Sequence, residues 1–110
     1  MKGSSEVRIV LVTCGSLAEA RRIARAVVEK RLAACVNIVM GPVESVYRWK
    51  EKVETASERL LIIKTTEARL ADLEIVVKRL HKYEVPEFLV LPVAGGSREY
   101  LTWVATSSEN

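Results

Sequence analysis

The sequence is poor in the side chains that most often carry chemistry. Only 5% of its 110 residues are aromatic, and there is one histidine. No apolar run approaches the roughly 20 residues of a membrane-spanning helix, so we expect no membrane segment. Residues 1–6 are polar and carry no secretory signal, which predicts a cytoplasmic protein. Two cysteines, Cys14 and Cys35, do not make a disulfide framework in such a chain.

The motifs of common enzymes and of nucleic-acid binders are absent as well. There is no Ser/His/Asp set, no phosphate-cradling glycine motif and no carboxylate pair flanked by a base, so we expect no enzyme. Gly95-Gly96-Ser97 could bind an anion at the N-terminus of a helix. The end of a strand followed by a helix N-cap explains this stretch more simply. The net charge of +3 is spread over alternating basic and acidic residues. This mixture is typical of a solvated surface, and no nucleic acid is expected as a partner.

The apolar residues that are present follow helix and strand patterns in turn. Ser16 and Glu19 match a capping box, in which the Ser16 hydroxyl accepts from the backbone and Glu19 reaches back. The spacing behind them predicts an amphipathic helix that ends near Arg31. Two further helices are predicted, one started by a Thr66 cap and ended by 81–83, and one over 100–104 before a frayed end at 106–110.

Five short segments rich in valine, leucine and isoleucine are predicted to be strands. Gly41-Pro42 separates two of them, because proline cannot donate to a ladder, and the charged residues 50–52 form a hairpin tip. The strands are predicted over 7–12, 34–40, 43–49, 60–64 and 88–93. The order of elements is that of an α+β fold of the ferredoxin-like split βαβ type, with an antiparallel sheet and a C-terminal helix. We expect one such domain over 1–110.

The predicted strands are apolar on both faces. Along the first strand, Ile9 and Leu11 alternate with Val10 and Val12, and 60–63 show the same pattern. Two helices cover only one face of such a sheet, so a monomer would expose an apolar surface larger than soluble monomers tolerate. A second copy of the chain is the simplest cover, and this predicts a homo-oligomer.

Six stretches, taken together and in order, are specific to one family. They are Glu29-Lys30-Arg31-Leu32-Ala33-Ala34-Cys35-Val36-Asn37-Ile38, Ser45-Val46-Tyr47-Arg48-Trp49-Lys50, Leu61-Ile62-Ile63-Lys64-Thr65, His81-Lys82-Tyr83-Glu84-Val85-Pro86-Glu87, Leu91-Pro92-Val93 and Tyr100-Leu101-Thr102-Trp103. The sequence resembles the CutA family of divalent-cation tolerance proteins from residue 7 to residue 106. The resemblance implies a tight homotrimer packed sheet against sheet, association with divalent metals, above all copper, and no established catalytic activity.

The sequence departs from the family pattern at two positions. Lys82 stands where the family usually has proline, which predicts a looser turn after the second helix. Glu51 stands where glycine is common in the hairpin tip, so Glu51 is strained if the tip needs a positive φ. Neither change touches the predicted core.

Candidate metal ligands are few. The candidates are His81, near the negative C-terminal end of a predicted helix, and Cys35, near the start of a predicted strand. Cys14 and Cys35 are expected at opposite ends of the sheet, so one chain does not bring both thiols to one Cu(I) or Cu(II) ion. A weak divalent-cation site shared between subunits, with His81 beside Glu84 or Glu87, is the remaining metal hypothesis.

A polar and aromatic set is predicted at strand ends and connections, where binding residues often lie. Lys64 interrupts an apolar strand and needs a partner, for which Glu84 or Glu87 of a neighbouring subunit is a candidate. The predicted cleft residues are Tyr47, Trp49, Lys64, Tyr83, Glu84 and Glu87. Interface hydrogen bonding explains this set as well as ligand binding does. The alternative function is a PII-like signalling or scaffold trimer that binds a small anion between subunits.

Overall fold

The structure, a computed structural model, describes residues 6–110, so the expectation for the polar N-terminus lies outside the described residues apart from Glu6. Five strands form one antiparallel sheet, which three α-helices accompany. The elements are β1 (Val7–Cys14), α1 (Leu17–Glu29), β2 (Cys35–Ile38), β3 (Val43–Trp49), β4 (Lys52–Thr66), α2 (Leu70–Leu80), β5 (Leu89–Pro92) and α3 (Arg98–Ser107). No helix within 6–110 is long and apolar enough to cross a bilayer.

The sheet has the order β2-β4-β1-β5, and β3 pairs with the first half of β4. Every pairing is antiparallel. The long strand β4 therefore takes two partners along the same edge, with Gly41-Pro42 in the break between them. This confirms the predicted α+β fold with an antiparallel sheet and a C-terminal helix, although β4 is much longer than the predicted 60–64.

The start of α1 confirms half of the predicted capping box. The Ser16 hydroxyl accepts from the backbone N–H of Glu19 at 3.1 Å. The Glu19 carboxylate does not reach back to Ser16, and that part of the prediction is wrong. It accepts instead from the backbone N–H of Lys82 at 2.9 Å, because the end of α2 lies against the start of α1. Glu19 is buried, so this hydrogen bond ties the two helices together.

The other two helices differ from their predicted limits. A 3₁₀ turn, Glu67–Arg69, precedes α2, and the Thr66 side chain makes no cap hydrogen bond. The predicted frayed end at 106–110 is wrong for 106–108, since α3 continues to Ser107 and the N–H of Ser108 donates to the Val104 carbonyl at 3.1 Å. Ser97 caps α3 as predicted, accepting from the N–H of Tyr100 at 3.2 Å.

One face of the sheet packs under α1 and α2 and forms the core. Val10, Val12, Leu61 and Ile63 are fully buried there, together with helix residues such as Ile23. The opposite face, called the open face below, is also apolar, as predicted. It consists of Ile9, Leu11, Leu60, Ile62, Leu89 and Leu91, which the strand register places side by side. Leu89 is 56% exposed and Leu91 43% exposed.

The hairpin of β3 and the first half of β4, residues 43–58, is called the hairpin arm below. Most of its side chains are exposed, including Val46 and Val53. Lys50 and Glu51 form its two-residue tip, with φ of 50° and 67°. Two positive φ values in a two-residue loop are typical of the type I′ turn, whose twist matches that of the strands.

Candidate functional site

A cavity of about 630 Å³ lies where β1 ends, between the hairpin arm and the chain that follows α2. The arm supplies one wall, the connection from α2 to β5 supplies the other, and Thr13 lies between them. The lining residues are Thr13, Ser45, Val46, Tyr47, Trp49, Glu58, Tyr83, Glu84, Val85 and Glu87. The strand register places Ser45, Tyr47 and Trp49 on one side of the arm, since they occupy alternate positions of β3.

His81 holds the wall that follows α2 in place. Its Nε2 lies 2.6 Å from the Thr13 carbonyl oxygen, and its Nδ1 lies 3.1 Å from the backbone nitrogen of Tyr83. A carbonyl only accepts and a backbone N–H only donates, so Nε2 carries the proton and Nδ1 is the acceptor. Both ring nitrogens of this buried side chain are therefore used to position Tyr83 beside the end of β1.

Two hydrogen bonds cross the cavity floor. The Tyr83 hydroxyl donates to Oε2 of Glu58 at 2.8 Å, and the Thr13 hydroxyl donates to Oε1 of Glu87 at 3.4 Å. Burial raises the pKa of Glu87, and the charge of Glu58 raises it further against the lowering effect of Thr13. Burial and the hydrogen bond to Glu58 likewise raise the pKa of the Tyr83 hydroxyl. Three glutamates and no lysine or arginine line the cavity among the described residues, which gives it a negative electrostatic potential.

The structure brings five of the six predicted cleft residues together. Tyr47, Trp49, Tyr83, Glu84 and Glu87 all line the cavity. Lys64 does not, because it lies at the far end of the open face, where it pairs with Ile9 of β1. Within the chain its ammonium donates to the Tyr100 hydroxyl at 3.2 Å and lies 5.5 Å from the centre of that ring.

The structure does not bring the two predicted metal ligands together. His81 contacts the end of β1 through Thr13, whereas Cys35 pairs with Lys64 of β4, whose partner on β1 is Ile9, four residues before Thr13. At about 3.3 Å per residue the separation along the strands alone is about 13 Å, and β4 lies between β2 and β1. Within 6–110 no group of three or more His, Cys, Asp or Glu side chains is arranged to hold a metal ion.

The donors near the cavity do not fit a dedicated copper site. Copper prefers imidazole and thiolate, and both His81 nitrogens are occupied by backbone groups. Cys14 is buried, and burial together with the Glu19 charge raises its pKa to about 11, so it stays a thiol at neutral pH. The oxygen ligands that line the cavity suit harder divalent cations and hold them more weakly.

Sequence reasoning missed five residues of the cavity: Thr13, Ser45, Val46, Glu58 and Val85. Thr13 follows the predicted end of the first strand, and Glu58 precedes the predicted start of the fourth. Neither residue falls within a predicted strand, whereas the structure continues both strands through them. Glu58 is 6% exposed. The polar residues within 52–60 are the sequence signal that could have indicated a longer β4 with a buried carboxylate on it.

The topology and the cavity define a ferredoxin-like α+β protein with an acidic, aromatic cleft at one end of its sheet. The family model described as CutA1 divalent ion tolerance protein matches residues 8–107. The chain belongs to this family.

Similar proteins come from bacteria and plants. The divalent-cation tolerance protein CutA of Thermus thermophilus is 52% identical over 96 residues, which are 87% of this chain and 92% of that protein. The chloroplastic protein CutA of Arabidopsis thaliana is 46% identical over 102 residues, 93% of this chain. The match spans only 56% of the Arabidopsis protein, so this chain corresponds to about half of that relative.

Solved structures agree with the fold. The divalent cation tolerance protein of Thermus thermophilus superposes with a TM-score of 0.89 at 48% identity, covering 92% of this chain and 97% of that one. The protein named PII-like protein CutA, from Nostoc sp. PCC 7120 in its apo form, gives a TM-score of 0.84 at 35% identity, with coverages of 93% and 97%.

Proposed function

We propose that the chain acts in divalent cation tolerance as a cytoplasmic homotrimer, with residues 1–110 as one domain and without catalytic activity. In this proposal it binds a divalent cation, Cu(II) among them, weakly at subunit boundaries. The observation that carries the proposal is the position of the carboxylate-lined cavity at the border of the open face. The names of its relatives refer to divalent cation tolerance.

The open face supports the association of copies. Its six apolar side chains are contiguous, and Leu89 and Leu91 are about half exposed in the single chain. Covering apolar area is worth roughly 25 cal/mol per Å², which favours association before entropic costs are counted. A neighbouring copy that packs on this face is the simplest cover.

The cavity then lies next to a subunit boundary. Thr13 belongs to the same side of β1 as Ile9 and Leu11, and its hydroxyl lines the cavity. A copy that covers the open face therefore reaches the edge of the cavity. Glu58, Glu84 and Glu87 supply oxygen ligands there, and a neighbour can complete the coordination of a cation that three loosely arranged carboxylates hold weakly.

Titration of the purified, chelator-treated protein with Cu(II) and with Mn(II) tests the metal part of the proposal. The double variant E58Q/E87Q is expected to lose about tenfold or more in affinity for both ions, since it removes two charged ligands. The variant E29Q, which removes an exposed carboxylate on α1, is the matched control. Unchanged binding by E58Q/E87Q, or loss only in C35A, would contradict the carboxylate site.

The second candidate is a PII-like signalling or scaffold trimer that binds a small anion. It is favoured by the PII-like name of the Nostoc relative and by the cavity at the border of the open face. The carboxylates of the cavity repel anions, so a neighbouring subunit would have to supply the cationic groups. A panel of nucleotides and organic acids, titrated under the same conditions, decides between the two candidates.

A further inference from the structure

The cavity has a lining whose chemistry selects one class of small molecule. Three aromatic side chains, Tyr47, Trp49 and Tyr83, lie around it together with the carboxylates of Glu58 and two further glutamates. Within the described residues, no lysine or arginine lines it. Aromatic faces and carboxylates both attract positive charge, the faces through the ring quadrupole and the carboxylates through their charge.

The cavity is far larger than a metal ion requires. Its volume of about 630 Å³ falls within the range typical of sites for organic molecules, which is roughly 300–1,000 Å³. Aromatic walls add nothing to the coordination of a small divalent ion, whereas they pack well against methylene groups. Size and lining together therefore indicate an organic ligand.

The ring of Trp49 already attracts an ammonium group. The Lys50 Nζ lies 5.8 Å from the centre of the ring, within the distance at which cations and aromatic faces interact. Lys50 is exposed at the tip of the hairpin arm, so a ligand can replace it at little cost. Trp49 also lines the cavity, so its ring is within reach of a bound amine.

Among residues 6–110, no salt bridge joins a lysine or arginine to the cavity carboxylates of Glu58, Glu84 and Glu87. The pKa of Glu87 is raised by burial and by Glu58, and the pKa of Tyr83 is raised by burial and by Glu58, Tyr47 and Glu19. Only the hydrogen bond from Thr13 acts in the opposite direction on Glu87. A cation placed between these groups reverses the repulsion, and this favours its binding.

We propose that the cavity binds a protonated aliphatic amine, with the ammonium group held by Glu58 and Glu87 and the methylene chain packed against Tyr47, Trp49 and Tyr83. The hydroxyls of Thr13 and Ser45 are further acceptors for its N–H groups. This inference does not rest on divalent cation binding, although an amine and a metal ion compete for the same carboxylates.

The test uses three probes of equal chain length: 1,5-diaminopentane, 1,5-pentanediol and glutarate. The full-length W103F variant leaves Trp49 as the only tryptophan, so its fluorescence reports on the cavity. We expect the diamine to change this fluorescence saturably, and the diol and the dianion to bind at least about tenfold more weakly, corresponding to about 1.4 kcal/mol. Equal binding of the diol, or stronger binding of glutarate, overturns the proposal.

Variants separate the site from general electrostatics. E58Q and E87Q each keep an oxygen that accepts from Tyr83 or Thr13, and each is expected to weaken diamine binding about tenfold, measured by calorimetry. E29Q removes the same charge on α1 and is expected to leave binding unchanged. A loss of equal size in E29Q overturns the proposal. Diamine binding without metal binding refutes only the metal function, and metal binding without diamine binding refutes only this inference.

Discussion

His81 uses both of its ring nitrogens on backbone groups, and this decides what it can do. Nε2 donates to the Thr13 carbonyl, and Nδ1 accepts from Tyr83 N–H, with Oε2 of Glu19 3.5 Å from the same nitrogen. A metal ion at either nitrogen would replace a buried hydrogen bond and leave its backbone partner unpaired. At this scale the histidine is a positioning residue of the cavity wall.

Glu87 makes stability depend on pH with a definite sign. Its pKa in the folded protein is raised above the ordinary value of 4.5, so above pH 4.5 the folded state holds a proton that the unfolded state has lost. Stability therefore falls as pH rises through the range between the two pKa values. E87Q removes this dependence and is expected to be more stable than the parent at pH 7.

Urea unfolding of chelator-treated protein between pH 4 and pH 7.5, at one chain concentration, measures this effect. E29Q, with an exposed carboxylate, should follow the parent at every pH. A stability difference between E87Q and the parent that stays constant with pH would show that burial of Glu87 does not perturb its titration.

Lys82 contributes through its backbone. Its N–H donates to the buried carboxylate of Glu19, a hydrogen bond that proline cannot make. The expectation of a looser turn at this position is therefore wrong, since the bond ties the chain after α2 to α1. K82P is expected to lose about 1–3 kcal/mol of unfolding free energy, because the buried Glu19 side chain loses a backbone donor.

K82A keeps the N–H and removes the same exposed side chain, so chemical denaturation should show it within about 0.5 kcal/mol of the parent. If K82P and K82A lose the same stability, the hydrogen bond to Glu19 contributes nothing and the side chain is responsible.

At the scale of elements, the hairpin arm carries most of the cavity's aromatic wall, and its tip is strained. Lys50 and Glu51 both have positive φ, which glycine and asparagine adopt more readily than lysine or glutamate. The sequence predicted strain at Glu51 if the tip needs a positive φ, and Glu51 has a φ of 67°. A type I′ turn matches the twist of the two strands of the arm, and this favours the turn in spite of the strain at its two residues.

Replacing Glu51 by glycine relieves that strain. E51G is expected to raise the unfolding free energy by about 0.5–1 kcal/mol, the left-handed penalty less the entropic cost of glycine. Thermal unfolding at fixed protein concentration measures the change. E44G, the same substitution in the extended strand β3, should lower stability, and a rise in both variants would point to charge rather than to φ.

For the whole molecule, the open face is the feature that decides assembly. Apolar side chains of β1, β4 and β5 form it, and within the described residues α3 packs over one end of it, where Leu101 and Val104 cluster with Val7, while Leu89 and Leu91 stay exposed. On the other side, α1 and α2 cover the sheet and bury Ile23, Val27, Leu73 and Val77 fully, so the open face is the side of the sheet that is left for a partner. Association through it leaves the helical layer exposed to solvent.

A charge in the middle of the open face should therefore dissociate the assembly. L89D places a carboxylate at a side chain that is 56% exposed in the single chain, so the monomer tolerates it while the covered state does not. Light scattering behind a sizing column is expected to report about three chains for the parent and one for L89D. I75D, at a 54% exposed position on α2, should remain trimeric. A parent protein that runs as a monomer would contradict the proposed assembly.

Local patterns were enough to predict much of this fold from the sequence. Short runs of valine, leucine and isoleucine indicated the strands, the caps at Ser16 and Ser97 started two helices, and the two-faced strands predicted an open apolar face. These features depend on neighbours a few residues apart. The ends of β4 and α3 were predicted too short because tertiary pairing, to β3 along the arm and to Arg31 near the C-terminus, extends elements beyond their local signals.

Some residues of the cavity could likewise be predicted from the sequence, and others could not. Residue type and position predicted that Tyr47, Trp49, Tyr83, Glu84 and Glu87 belong together. Local sequence patterns predicted which elements form, which strand faces are apolar and half of the residues that line the cleft. Only the tertiary structure decided that Lys64 lies apart, that Glu58 and Thr13 join the cavity, and that His81 positions a wall, since each depends on which distant backbone group or carboxylate the fold places within hydrogen-bond distance.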